Sequence, residues 1–205
     1  MKNKSGRRTL LMSVLMSAPG PLVVGLGLLT GRSSTQIADF FRRSAELLAI
    51  ICAYVVYLIT NRDGVEDAAR KAKLERVSNL FVGTMMCLSG TIMLALALFA
   101  PSAEKGNVIP GLVIAVLGVV ANSLFWRKYT KLNRQGPNAI LAVQARLYRA
   151  KALVDGCVTA ALLTVALFPA TSAARWIDLG GSVIVAVYLI WCGVKTVREQ
   201  KNMEK

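Results

Sequence analysis

SSTQIADFFRRSAELLAIICAYVVYLIT, residues Ser33–Thr60, decides how this chain is read. From Leu47 onward the stretch is almost wholly apolar, yet Asp39, Arg42, Arg43 and Glu46 put two acids and two bases within eight residues just before it. An ionisable group at membrane depth costs at least about 2.5–3.5 kcal/mol on insertion scales, so such side chains face a cavity or one another. If this is a membrane helix, its charges predict a polar partner elsewhere in the sequence.

The composition supports the membrane reading. The chain has 205 residues, of which 55% are hydrophobic and 18% charged. Its apolar residues come in long runs, and a run of about 20 spans the hydrocarbon core of a bilayer. Six such segments are predicted, over residues 9–30, 33–60, 75–100, 108–127, 138–169 and 175–197. The period-2 alternation of a membrane barrel is absent. The fold class expected is an all-α membrane protein with six transmembrane helices. An N-terminus over 1–8, a transmembrane domain over 9–197 and a short tail over 198–205 are expected, with no C-terminal cytoplasmic domain.

The net charge of +14 does not point to nucleic acid, because the bases sit in short connections between apolar runs and no aromatic-interleaved basic patch accompanies them. Seventeen bases fall at the N-terminus, in 61–76, in 127–136 and in the C-terminal tail, against Arg32, Lys105 and Arg175 in the other connections. The positive-inside rule then places both termini in the cytoplasm, and an even number of spans is consistent with this because it puts them on one side. The basic start followed by an apolar run resembles a signal peptide, but without a clear cleavage site it is read as a retained first span. That span is interrupted by SAPGP at Ser17–Pro21, where prolines kink a helix. Trp126, Tyr129 and Trp176, near span ends, are expected as interfacial anchors.

Cys52, Cys87, Cys157 and Cys192 all lie inside apolar runs without CxxC spacing, and the chain has no histidine. They read as buried small hydrophobes. With no activated serine or cysteine arrangement and no phosphate-cradling loop, neither an enzyme nor a cofactor is expected. The partners expected are the lipid bilayer and a small solute or ion.

Five bases remain, Arg42, Arg43, Arg146, Arg149 and Lys151, and all lie in the second and fifth segments, together with Asp39, Glu46 and Asp155. These two segments are predicted to shelter each other. Glu46 lies 13 residues from Ser33 and Asp155 lies 13 residues from Phe168. At about 1.5 Å per residue both carboxylates sit about 20 Å in from the same face. Antiparallel packing then brings Glu46 towards Lys151 and Arg42 towards Asp155. Arg146 and Arg149 are expected to snorkel to the cytoplasmic interface, and KTVREQKNMEK is expected as a solvated helix end.

SSTQIADFFRRSAE follows without a gap the spacing S-x-A-x-x-A-D-x-x-H/D-S-x-x-D, through Ser33, Ala38, Asp39 and Glu46. KLE at Lys73–Glu75, Asn122 late in the fourth segment and Asp178 opening the sixth complete an ordered set. In these features the chain resembles the membrane domain of the cation diffusion facilitators, proton-coupled exporters of zinc and other divalent metals. The resemblance implies a six-helix bundle, transport by antiport, a homodimer and a bacterial cytoplasmic (inner) membrane. It also implies a metal site built from pairs four residues apart on the second and fifth helices. Carried over, those positions are Arg42 with Glu46 and Lys151 with Asp155; a register shifted by one turn puts Leu147 with Lys151 instead. Either way two ligands are lost, since arginine stays protonated and cannot donate to a metal. The transport-site candidates are Arg42, Glu46, Lys151, Asp155 and Asp39, with Arg43, Asn122 and Asp178 secondary. Three readings stay open: a secondary transporter with a changed substrate, a divalent-cation exporter with a rearranged carboxylate site, and a non-transporting scaffold whose ion pairs lock the bundle.

Overall fold

Long apolar runs with their backbone bonds satisfied internally are what a helix offers in lipid, and the chain folds accordingly. A computed structural model describes residues 2–30, 34–61, 68–99, 109–167 and 172–202. Among the described residues are seven helices: α1 (Lys2–Ser17), α2 (Pro19–Thr30), α3 (Ser34–Thr60), α4 (Ala68–Phe99), α5 (Ile109–Gln135), α6 (Ala139–Leu167) and α7 (Ser172–Asn202). The first two share the first apolar segment, so the seven helices make six segments. Among the described residues four stretches are long and apolar enough to cross a membrane: Phe40–Thr60, Ala68–Phe99, Leu112–Gln135 and Leu179–Asn202. Helix α6 is of similar length but is interrupted by Arg146, Arg149, Lys151 and Asp155.

The break between α1 and α2 has a covalent cause. Pro19 and Pro21 lack the N–H that would reach the carbonyls of Leu15 and Ser17, so the ladder that ends with Ala18 donating to Val14 at 2.9 Å cannot continue through them.

Helix α4 packs chiefly on α7, and α5 on α6, while α3 lies against α4, α1 and α2. Glycines permit the α4–α7 approach. A Cβ at Gly90 would lie 2.9 Å from the Ala186 carbonyl oxygen, and one at Gly193 would lie 2.6 Å from that of Gly83. Across the inner seam run Ala49, Ile50, Ala53 and Tyr57 of α3 with Leu147, Tyr148, Ala150 and Val154 of α6, all buried. The outward side of α3 carries Phe41, Leu48, Ile51, Val55 and Ile59, which are exposed and apolar as a lipid-facing stripe requires.

Several segments run further than the apolar runs predict. Residues 127–135, expected as a loop, continue α5, because Tyr129 and Leu132 turn one face of this polar stretch onto the bundle. The α5–α6 connection shrinks to Gly136, Pro137 and Asn138. Asn138 caps α6, its side-chain oxygen accepting from the backbone N–H of Ile140 at 3.0 Å and of Leu141 at 3.2 Å. The helix end expected at the C-terminus is found as far as Asn202, with Lys195, Arg198, Lys201 and Asn202 exposed, but one face of it is not solvated: Thr196 and Gln200 are buried, and Glu199 pairs with Arg146 through two hydrogen bonds, one at 3.1 Å. Arg146 thereby ties α6 to α7. Arg149 is exposed, with its guanidinium 5.7 Å from the Trp126 ring centroid.

Candidate transport site

Helix α3 is strongly amphipathic, and its polar face is the one that meets α6. Arg42 and Glu46 are four residues apart and so share a face of the helix. Arg42 Nη1 donates to Glu46 Oε1 at 2.9 Å. From α6, Lys151 Nζ lies 3.5 Å from Glu46 Oε2, so each oxygen of this carboxylate meets a different base. The Lys151 ammonium also stands 5.3 Å from the centroid of its neighbour Tyr148. The three ionic side chains are well removed from solvent, with relative exposures of 13% for Arg42, 8% for Glu46 and 15% for Lys151.

The predicted contact between Glu46 and Lys151 is thus found. The predicted contact between Arg42 and Asp155 is replaced by two others. Arg42 closes on Glu46 along its own helix, and Asp155 Oδ2 accepts from Asn122 Nδ2 of α5 at 2.6 Å. Asn122 reaches Asp155 because α5 and α6 are closely packed neighbours, and Gly118, one turn before Asn122, keeps that approach clear: a Cβ there would lie 2.9 Å from the Asp155 carboxyl carbon. The amide meets the acid without neutralising it.

These groups line one cavity of 120 Å³, bounded by Arg42, Arg43, Glu46, Asn122, Lys151 and Asp155. The α1–α2 break forms its remaining wall through Met16, Ser17, Gly20 and Pro21. Arg43 extends to this wall, where a Cβ on Gly20 would lie 3.5 Å from its Nη1. The proline interruption therefore gives the cavity its space, and the polar faces of three further helices give it its chemistry. Asp39 and Asp178 lie outside the residues whose side chains are described, as does Trp176. Among the described residues no group of three His, Cys, Asp or Glu side chains is gathered closely enough to hold a metal ion.

The family model for the cation efflux transmembrane domain matches residues 10–202. The chain belongs to the cation efflux family. This agrees with the order of polar residues on the second, fourth and fifth segments, and it makes the chain a member of a family of membrane transporters. No curated protein matches the chain.

One group is brought to the site's surroundings that its sequence position does not announce. Tyr129, expected as an interfacial anchor, is fully buried, with its hydroxyl 2.7 Å from Ser13 Oγ. A ring near a span end reads the same in sequence whether it meets headgroups or a serine. The spacing of Thr9, Ser13 and Ser17 on α1 is the signal that could have found the contact.

Proposed function

We propose that this cation efflux protein is a proton-coupled secondary transporter in which Arg42 and Lys151 take the place of a bound divalent metal, so that its substrate is not zinc. The observation that carries the reading is the Glu46 carboxylate held between Arg42 at 2.9 Å and Lys151 at 3.5 Å. Two unit charges 4 Å apart interact by about 4 kcal/mol at an effective dielectric of about 20. A divalent cation beside either base would meet about twice that in repulsion. The protein's own cations balance Glu46 without an external ion.

Protonating Glu46 removes the charge that holds Lys151 across the α3–α6 seam and Arg42 along α3. The two helices can then move relative to each other, and loss of the proton on the other side restores the clamp. A small organic or anionic solute would compete with Glu46 for Arg42 and for Arg43, which lines the same cavity. Both termini are proposed to lie in the cytoplasm of a bacterial inner membrane, following the distribution of bases, and two copies are proposed to associate through their spans.

A second reading draws on the same contacts. Both oxygens of Glu46 are engaged, and removing one partner of a buried ion pair is costly, so the cluster would also serve as a static lock in a non-transporting subunit. Sealed vesicles containing the purified protein and a pH-sensitive dye separate the readings. Divalent metals are scanned first, then small organic anions and cations. Proton flux driven by an organic ion and abolished by Glu46→Gln supports the proposal. Flux driven by zinc or manganese and abolished by the same change refutes it. No flux with any solute, together with unfolding of the Arg42→Ala protein, favours the lock.

A further inference from the structure

The helical form of residues 127–135, a stretch whose composition suggests a loop, gives its bases a direction. On α5, Val113, Leu117, Val120 and Leu124 follow one another at intervals of four, three and four residues, and Arg127, Lys131 and Arg134 continue that spacing. At 3.6 residues per turn all seven fall within an arc of about 100°. All seven are exposed, the four apolar ones by 52–63%. The stripe therefore changes from wholly apolar to wholly basic within one turn, between Leu124 and Arg127.

Its dimensions are those of one lipid leaflet. At about 1.5 Å per residue the apolar part rises about 16 Å, against about 15 Å for half a hydrocarbon core. The basic part rises about 10 Å further, into the depth of the headgroups. On the flank of the basic part lies a groove of 320 Å³, lined by Trp126, Arg127, Thr130, Lys131, Arg134 and Gln135. The Arg149 guanidinium of α6 stands 5.7 Å from the centroid of the Trp126 ring, so a fourth base borders the same place. Residues 124–135 contain no acid, and among the described residues Arg127, Lys131 and Arg134 have no ion-pair partner. A topology signal needs only the charge of a connection, wherever it points. These three bases are aligned with one another and with an apolar track. Helix α7 offers the contrast: its exposed Ile184, Val187, Trp191 and Val194 also lead to Arg198 and Lys201, but there Glu199 stands among the bases.

We propose that this face of α5 binds an anionic phospholipid, with an acyl chain along Val113–Leu124 and the phosphate among Arg127, Lys131 and Arg134. Phosphate oxygens suit these donors: an arginine fork engages two of them at once, and a lysine adds a point charge. The occupant is a lipid rather than a free phosphate because the bases continue an apolar track of leaflet length. A second copy of the chain, related by an axis along the membrane normal, would set the same bases against one another, and residues 124–135 supply no acid to offset them. The inference concerns the outer surface of the bundle and is independent of the transported solute and of proton coupling.

The test uses the full-length protein with Trp176→Phe and Trp191→Phe, which leaves Trp126 as the one tryptophan. It is reconstituted in phosphatidylcholine vesicles with rising mole fractions of phosphatidylglycerol brominated near the ester end of its chains, where bromine quenches a nearby indole. Brominated phosphatidylcholine gives the unselective level. Quenching by the anionic lipid should reach half its maximum at a mole fraction at least about tenfold lower than for the neutral one. Replacing Arg127, Lys131 and Arg134 together with glutamine should abolish that preference, whereas Arg127→Lys with Arg134→Lys should keep it within about threefold. Arg198→Gln with Lys201→Gln removes two bases from the same end of α7 and should leave the curve unchanged. Circular dichroism checks the fold of each variant; Lys131→Gln alone, expected to shift the curve by about threefold or more, serves where the triple replacement unfolds the chain. Equal quenching by the two lipids would overturn the proposal. So would an equal loss in the α7 variant, which marks unselective attraction to a charged surface, or displacement of the lipid by millimolar inorganic phosphate, which marks an anion site without a lipid. Absence of quenching by either lipid, with energy transfer between labelled copies, would assign the face to a second copy and overturn it as well.

Discussion

Consider the pair that joins α3 to α6. At 3.5 Å and an effective dielectric of about 20, Lys151 and Glu46 attract each other by about 5 kcal/mol, and Arg42 at 2.9 Å contributes about 6 kcal/mol. Desolvation offsets most of this gross attraction, so the informative quantity is the cost of removing one member. Glu46→Gln preserves the side-chain shape and leaves two cations facing each other in a buried cavity, at an expected cost of about 3–5 kcal/mol. Lys151→Met leaves Glu46 still paired with Arg42 and should cost less, about 1–3 kcal/mol. The double variant removes the carboxylate and one of the two cations that would repel. Its cost should fall short of the sum of the single costs by at least about 1 kcal/mol. Reversible unfolding in mixed micelles, followed by tryptophan fluorescence and circular dichroism, supplies the four stabilities of the cycle. Additivity within about 0.5 kcal/mol would refute the shared chamber, because groups without a common environment add in that way.

Three further outcomes follow from other contacts. Arg42→Asp combined with Lys151→His should create zinc binding measurable by calorimetry, since four donors would then occupy the family's pattern with Glu46 and Asp155; no binding would count against that alignment. Gly90→Ala should lower stability by about 1–3 kcal/mol, because its Cβ would lie 2.8 Å from Ile190 Cγ1 as well as 2.9 Å from the Ala186 carbonyl oxygen; an unchanged unfolding midpoint would show that α4 and α7 can part cheaply. Glu199→Gln should cost less than about 1 kcal/mol, and less still in high salt, because the Arg146–Glu199 pair is about a third exposed on both sides, at 35% and 37%.

Much of this arrangement can be read from residue order. Charges placed in two otherwise apolar segments have to meet, and the antiparallel count brings Glu46 opposite Lys151, as found. What the count misses is local. Arg42 and Glu46 are one turn apart, so the nearest acid for Arg42 lies on its own helix, and Asp155 is left to the amide of Asn122. The family pattern marks Asn122 by position, while its partner depends on how closely α5 approaches α6. Residues 127–135 look like a loop because their composition is polar, yet Tyr129 and Leu132 give the stretch a buried face once α1 and α6 are beside it. The serine and threonine spacing on α1 is visible in the sequence, but its meaning depends on Tyr129, more than a hundred residues away. Hydroxyls also carry too little hydropathy signal to stand out within a span.

Zinc-edge anomalous diffraction from crystals of the unaltered protein grown with zinc shows whether Arg42 and Lys151 exclude a metal. No zinc peak is expected in the cavity, with Lys151 and Arg42 still at the two oxygens of Glu46. A peak within about 2.0–2.2 Å of a Glu46 or Asp155 oxygen, with either base turned away, would contradict it.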